Sequence, residues 1–242
     1  MIPKIIHRTY ISEEDIPEEF QKAIQETNYI NKTWQYRFYD DKEIERFILT
    51  VYGNQMLKCY HKINPTYGAA KADFFRYLLM YAQGGLYLDL KSVSKIPLDL
   101  LLKDSDEYFL SHWRNKPYEE KPYAGMWKEL LMAGMFFGEY QQWFILCRPG
   151  HPFLELVINK VLHNIQNYDN SETGAGATLK VTGPVAYSFA INPVVDKYPR
   201  TLVDIQKSMG LYYTCMPWNQ YHEQTLKLKN HYSYSKEPLI LR

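Results

Sequence analysis

The sequence predicts an α/β fold in which a mostly parallel central sheet is flanked by helices, and three observations carry that reading. Segments of strand period and of helix period alternate along the first third of the chain, the pattern of successive βα units. The stretch Ala72 to Lys91, ADFFRYLLMYAQGGLYLDLK, runs a helix through a double glycine straight into a strand. With 242 residues, the chain is long enough for one sizeable core, so residues 1–242 are expected to form a single domain with a substrate-facing insertion.

The elements follow in order. Ile2 to Tyr10 reads as the opening strand, Glu18 to Glu26 as a short helix, and Trp34 to Tyr39 as a second strand ending at Asp40 and Asp41. From Lys42 to Tyr52, residues Ile44, Phe47, Ile48 and Val51 recur at helical spacing. A helix from about Thr66 to Ala82 and a strand from Leu86 to Leu90 continue the alternation. Right-handed crossovers would then place a ligand at the carboxyl ends of the parallel strands. Further on, Gln142 to Cys147 reads as a strand, and His151 to Ile165 as a helix with Phe153, Leu156, Val157, Val161 and Leu162 inside. Tyr168 to Thr178, which contains Ser171-Glu172-Thr173-Gly174-Ala175-Gly176, reads as a flexible loop that either closes over substrate or merely connects.

The chemistry concentrates around the double glycine. Asp73 and Arg76 are spaced i, i+3 and share a helical face, while Phe74, Phe75, Leu78, Leu79 and Tyr81 offer a broad apolar surface to a sheet. Gly84 and Gly85 stop the helix, because glycine enters the left-handed cap conformation without steric cost. In the strand beyond, the leucines face one side and Tyr87, Asp89 and Lys91 the other. An acid, a guanidinium and a second acid thus meet at one strand end. Such a set suits a sugar hanging from a phosphate, since carboxylates accept from vicinal hydroxyls and guanidinium donates in pairs. Plainer readings stand beside it: a solvated i, i+3 ion pair worth a few tenths of a kcal/mol, the wet face of an edge strand, and an Asp89 to Lys91 surface pair. Paired carboxylates also serve glycoside hydrolysis, and the sequence does not separate that use from sugar binding.

Composition narrows the field. The net charge of +1 lacks the basic footprint of a nucleic-acid binder, and no stretch approaches the roughly 18 apolar residues of a membrane span. Met1 to Ile6 already read as strand, leaving no room for a secretory signal, so cytoplasmic residence is expected. In that compartment the sequon Asn31-Lys32-Thr33 carries no meaning. Cys59, Cys147 and Cys215 are scattered without a CxxC or CxxH pattern, which indicates neither a disulfide framework nor a zinc site. No GxGxxG follows the first strand, and GxxxxGK[ST], HExxH and GxSxG are absent. Aromatic residues make up 16% of the chain; most belong to the core. The polar, proline-punctuated patch from Trp113 to Trp127 reads instead as an acceptor-side loop, with Tyr118 and Tyr123 among Lys116, Glu119, Glu120 and Lys121. His7, His112 and His151 read as hydrogen-bonded structural groups, whereas His231 stays a candidate ligand.

These residues resemble the sugar-binding region of the DXD-motif glycosyltransferases, a family that includes yeast-type initiating mannosyltransferases and bacterial and viral polysaccharide enzymes. More distantly they resemble the clostridial glucosylating toxins. Further landmarks agree in order: IPKIIHRTY at the start, Arg148-Pro149-Gly150-His151-Pro152, Thr182-Gly183-Pro184, and His231-Tyr232-Ser233-Tyr234. The resemblance implies a GT-A-type fold and retaining transfer of a hexose-type sugar from a UDP- or GDP-sugar donor to a glycan or lipid-linked acceptor. It assigns sugar gripping to Asp73 and Arg76, and the donor tyrosine and first DXD acid to Tyr87 and Asp89. It places the base near Thr9 and Tyr10, adds Gly85 to the donor site, and puts Ser233 and Tyr234 on the diphosphate.

One departure matters. The family's second acid, which binds a divalent cation such as Mn2+ or Mg2+, is replaced here in Asp89-Leu90-Lys91. Three outcomes stay open: Asp89 and His231 hold the cation with phosphate oxygens, Lys91 supplies the positive charge, or activity is lost. The last leaves a non-catalytic relative that binds a nucleotide sugar or a glycan.

Overall fold

A computed structural model describes residues 1–119, 121–217, 220 and 232–242. Its main sheet has six strands: β1 (Ile5–Thr9), β2 (Gln35–Tyr39), β3 (Gly85–Leu88), β5 (Tyr108–Leu110), β6 (Phe144–Cys147) and β7 (Thr201–Leu202), with β4 (Val93–Ser94) paired to β8 (Leu211–Tyr212) in a small second sheet. The order is β2-β1-β3-β6-β5-β7. β1 runs parallel to β2 and to β3, β5 runs parallel to β7, and β6 alone is antiparallel to its neighbours β3 and β5. The sheet is therefore mainly parallel, as the sequence predicts. The chain leaves β1 for β2 on one side and crosses back to β3 on the other, so the order reverses at β1 and opens a crevice beyond its carboxyl end.

The helices are α1 (Glu18–Ile30), α2 (Asp41–His61), α3 (Gly68–Gln83), α4 (Lys128–Met132), α5 (Pro152–Gln166), α6 (Gly174–Val181), α7 (Pro184–Ile191) and α8 (Ile205–Met209). Asp40 caps α2 by accepting from the Glu43 amide at 2.8 Å, a standard N-cap geometry. α2 runs past the expected Tyr52 to His61, through a kink at Gly53 where φ is 82°. Tyr77, Leu78, Leu79 and Met80 of α3 are fully buried. One core, on the α2, α3, α5 and α7 side, takes Tyr87, while the opposite core takes Leu86 and Leu88 together with Ile2, Ile6, Trp34 and Phe144. β3 is thus a central strand buried on both faces, which removes the edge-strand reading of Tyr87, Asp89 and Lys91.

Two glycines explain the joint between α3 and β3. Gly84 caps α3 at φ 64°, and a Cβ there would fall 2.6 Å from the Pro149 nitrogen. At Gly85 (φ 95°) it would fall 2.6 Å from the Ile5 carbonyl oxygen. The expected loop from Tyr168 to Thr178 is a correction: its second half is the start of α6. Glycine-rich composition favours a loop locally, but tertiary contacts decide otherwise. The Gly174 amide donates to the Tyr67 hydroxyl at 2.8 Å, and Ala177, Thr178 and Val181 are buried. Among the described residues no helix is long and apolar enough to cross a membrane.

Candidate active site

A cavity of about 530 Å³ opens at the carboxyl ends of β1 and β3. Thr9, Tyr10, Arg76, Tyr87, Asp89 and Lys91 line it together with Tyr60, Lys71, Phe20 and Asp41. Tyr87, Asp89 and Lys91 reach the same space, but not by the expected strand alternation: β3 ends at Leu88, and a turn closed by the Ser92 amide on the Asp89 carbonyl carries Leu90 and Lys91 to the cavity as well. Thr9 and Tyr10 are held at the rim by Tyr39, whose carbonyl accepts from the Thr9 hydroxyl at 2.9 Å and the Tyr10 amide at 3.3 Å.

Arg76 organises the floor. Its Nη2 lies 3.1 Å from Asp73 Oδ1 and 3.0 Å from Asp89 Oδ1. Nη1 donates to the Gln142 carbonyl at 2.8 Å and to Gln142 Oε1 at 2.7 Å, and the guanidinium carbon sits 4.8 Å from the centre of the Tyr87 ring. Asp73 also accepts from Gln142 Nε2 at 3.0 Å and from the Thr182 hydroxyl at 3.2 Å. With side chains only 5% and 6% exposed, Arg76 and Asp73 form a buried, multiply bonded pair, not the solvated one that spacing also allows.

The two acids on Arg76 differ in proton affinity. Burial pushes the Asp73 carboxyl up, and Arg76 only partly offsets it. Burial acts the same way on Asp89, but Arg76 and Lys91 together outweigh it and hold that carboxyl below its ordinary range. Asp89 is therefore the firmly ionised acid of the cavity. Burial also raises the Tyr87 hydroxyl, keeping it a neutral donor.

Sequence reasoning missed four residues. Arg8, fully buried, donates from Nη1 to the carbonyls of Asp89 and Leu90 and from Nη2 to that of Ser92, each at 2.8 Å. It thereby fixes the backbone that carries Asp89 and Lys91. Burial lowers its pKa to about 10. Gln142 and Thr182 complete the Asp73 and Arg76 network. Tyr213 lies with its ring centre 4.3 Å from Lys91 Nζ. Thr182 stood in the Thr-Gly-Pro landmark and Arg8 in the opening IPKIIHRTY, though neither was given a role there; nothing in the sequence marked Gln142 or Tyr213.

Lys91 Nζ is 3.0 Å from Asp89 Oδ2. The carboxylate thus has Arg76 on one oxygen and Lys91 on the other. A divalent cation needs several hard oxygen ligands. Among the described residues no group of three acids, histidines or cysteines is placed to hold a metal ion. This donor set does not fit the cation that the resemblance implies.

The remaining candidates lie apart. Gly85 sits at the opposite, amino end of β3, against Ile5. Ser233 and Tyr234 form a turn whose Ser233 carbonyl abuts Gly174 at the start of α6, and neither is among the residues lining the cavity. His231 falls outside the described residues.

Between β5 and β6 the chain makes a long excursion at the same edge of the sheet. Its two tryptophans share one acid: Trp113 Nε1 donates to Glu139 Oε1 at 2.7 Å, and the partly exposed Trp127 donates from Nε1 to Glu139 Oε2. Burial pushes the Glu139 carboxyl up to about 7 against those two donors. Tyr118, Tyr123, Met132, Phe136 and Phe137 are exposed. The expected histidines are structural: His7 contacts the Gly84 carbonyl, His112 that of Glu139 and His151 that of Pro199.

Residues 17–107 match the family described as glycosyltransferase sugar-binding region containing DXD motif. The matched stretch carries α3, the double glycine and Asp89, and the chain is similar to this glycosyltransferase family there. It is 28% identical over 169 residues to the initiation-specific alpha-1,6-mannosyltransferase of Candida albicans, covering 66% of this chain and 42% of that protein. The chain spans about half the length of the curated relatives it matches. Among solved structures, the PaToxG glycosyltransferase aligns with a TM-score of 0.52 and 15% identity over 81% of this chain and 70% of that one. The UDP-bound glycosyltransferase domain from the YGT toxin aligns at 0.50 with 10% identity, over 88% and 81%. At such identities the likeness is one of fold, and it agrees with the GT-A-type expectation.

Proposed function

We propose that this protein is a retaining glycosyltransferase that moves a hexose-type sugar from a UDP- or GDP-sugar to a glycan or lipid-linked acceptor. The observation that carries the reading is the cavity floor, where Arg76, Asp89 and Lys91 form a fixed acid and cation set beside Tyr87 at the ends of β1 and β3. The resemblance to a mannosyltransferase and to a UDP-bound domain supports the donor class. In this reading Thr9 and Tyr10 pack the base, while Asp89 and Arg76 orient the sugar, with Asp73 holding Arg76 from behind.

The bond from the anomeric carbon to the phosphate oxygen breaks, and its electron pair leaves with the diphosphate. The acceptor hydroxyl oxygen bonds to the same face of that carbon, and its proton passes to the departing phosphate oxygen. Both carboxylates near the ring are engaged by cations and donors, which favours this route over a covalent intermediate on either. Fixed charges of this kind stabilise developing charge most effectively in a site shielded from water. The excursion between β5 and β6, at the same sheet edge, is the surface we assign to the acceptor. We read residues 1–242 as one domain, since both hydrophobic layers rest on one sheet. The three free thiols, Cys59, Cys147 and Cys215, suit a reducing cytoplasm.

A second reading, a non-catalytic relative that binds a nucleotide sugar or a glycan, is favoured by Lys91 standing where the family has an acid. One assay separates them: incubate the protein with a panel of nucleotide sugars and quantify released nucleoside diphosphate, then determine the anomeric configuration of product by NMR. Release from one donor with a retained anomer is expected. Donor binding without release, with acceptors supplied, would favour the second reading.

A further inference from the structure

We propose that the Lys91 ammonium takes the place of a divalent cation at this site, neutralising the diphosphate as it departs, and that Tyr213 is the positioning residue that aims it. The inference rests on the glycosyltransferase reading above. β3 ends at Leu88, and a tight turn closed by the Ser92 amide donating to the Asp89 carbonyl at 2.9 Å brings Lys91 back beside Asp89 in the cavity. Its ammonium is only 3.0 Å from Asp89 Oδ2, and its side chain is 14% exposed. Tyr213 presents its ring face to that ammonium at 4.3 Å, and it is itself braced edge-on by Trp113 and Trp143, with ring centres at 5.2 and 5.7 Å. The charge is thus held between a carboxylate and an aromatic face, with little freedom to wander.

A metal ion at the same carboxylate would meet poor terms. It would displace Lys91 from Oδ2 or Arg76 from Oδ1, then sit within a few ångströms of both cations, with no further acid from the strand. A lysine held in place needs no such displacement. As the bond to the anomeric carbon breaks, Lys91 donates hydrogen bonds to the phosphate oxygens and keeps its protons. The proton gained by the diphosphate is the acceptor's, so the transfer balances without a metal. Shielded from bulk water, an ammonium interacts with a developing negative charge far more strongly than on an open surface.

The test is calorimetric binding of UDP and GDP to the full chain, with EDTA and then with excess Mn2+, alongside donor turnover under both conditions. One of the two nucleotides is expected to bind with the same affinity, within about twofold, in EDTA and in Mn2+. Lys91→Gln should weaken that nucleotide about tenfold or more, equivalent to about 1.4 kcal/mol, while leaving the affinity for the bare nucleoside unchanged. Lys91→Arg should keep most of the affinity. Tyr213→Leu should lower turnover with little change in nucleoside binding, and Tyr213→Phe should restore it. Lys91→Asp should make binding depend on Mn2+. Wild-type binding or turnover that collapses in EDTA and returns with Mn2+ would overturn the lysine proposal alone. Failure of both nucleotides to bind under either condition would overturn the glycosyltransferase reading and this inference with it.

Discussion

The two walls at the carboxyl edge of the sheet are built on opposite terms. On the β1, α3 and β3 side the central charged groups are buried and multiply bonded: Arg76 touches Asp73, Asp89, Gln142 and the Tyr87 ring, and Arg8 holds three carbonyls. The excursion between β5 and β6 is turned by glycines at positive φ, Gly125, Gly134 and Gly138, and shows its aromatic rings to solvent. A single buried acid, Glu139, ties its two tryptophans together. The difference teaches that position is fixed where burial makes every missing partner expensive. Where side chains are exposed, sequence is free to change with little cost to the fold.

That contrast can be broken from either wall. The largest effect is expected at Arg76: Arg76→Met leaves Asp73 buried without its cation, which should cost about 3–5 kcal/mol of stability in urea unfolding. A loss below about 1 kcal/mol would mean that the network is held by its neutral members, Gln142 and Thr182. Next comes Asp89→Ala, which should lower transfer on the order of a hundredfold or more while the circular dichroism spectrum stays native. Near-normal turnover by that variant would remove Asp89 from the site.

One group from each wall should also respond to pH with opposite sign. His7, beneath the donor wall, is pushed by burial from 6.5 down to about 4. The unfolded chain therefore binds the extra proton between those values, and stability rises with pH across that window. Glu139 is pushed by burial from 4.5 up to about 7. Here the folded chain binds the extra proton, and stability falls as pH rises from 4.5 to 7. Each contribution is about 3 kcal/mol when complete, so from these two groups the wild type should be nearly flat between pH 4.5 and 6.5. Glu139→Gln should expose the rising limb in denaturation midpoints taken across that range, and adding His7→Gln should make that limb shallower without removing it, since burial also holds His151 down to about 4. Tryptophan fluorescence should titrate near pH 7 in the wild type and not in Glu139→Gln. The smallest effect is expected from Phe136→Ser with Phe137→Ser, at 72% and 69% exposure. Stability should move by less than about 0.5 kcal/mol per site, while KM for the acceptor rises and donor hydrolysis is unchanged. An unaltered acceptor KM would move the acceptor away from this surface.

The same contrast sets what the sequence could disclose. Tyr87 and Asp89 were legible together because strand period is local, and Asp73 and Arg76 because i, i+3 spacing is local; Lys91 reaches the same space through a turn that strand period did not foretell. Their burial was not, since it depends on Gln142, which lies 66 positions from Arg76, and on Thr182, 109 from Asp73. Arg8 stood inside the opening landmark, but its role was unreadable for a related reason: an arginine that spends its donors on carbonyls leaves no complementary charge in the sequence to find. The start of α6 was missed because its glycines speak for a loop until Tyr67, from far up the chain, accepts the Gly174 amide. α2 outran its expected end because Gly53 kinks a helix that then resumes.

Within the six-stranded sheet, β6 runs against the other described strands, and its direction has an architectural consequence. It begins where β3 ends: Leu88 pairs with Phe144, and the Asp89 amide donates to the Trp143 carbonyl at 2.8 Å. Chain therefore arrives at the crevice from one strand's finish and another's start, like two roads entering a square from the same side. The segment entering through Gln142 can be lengthened, shortened or recoloured upstream without re-laying the road that brings in Asp89. If the proposed transferase reading holds, a fold wired this way could trade one recipient for another while keeping its grip on the donor.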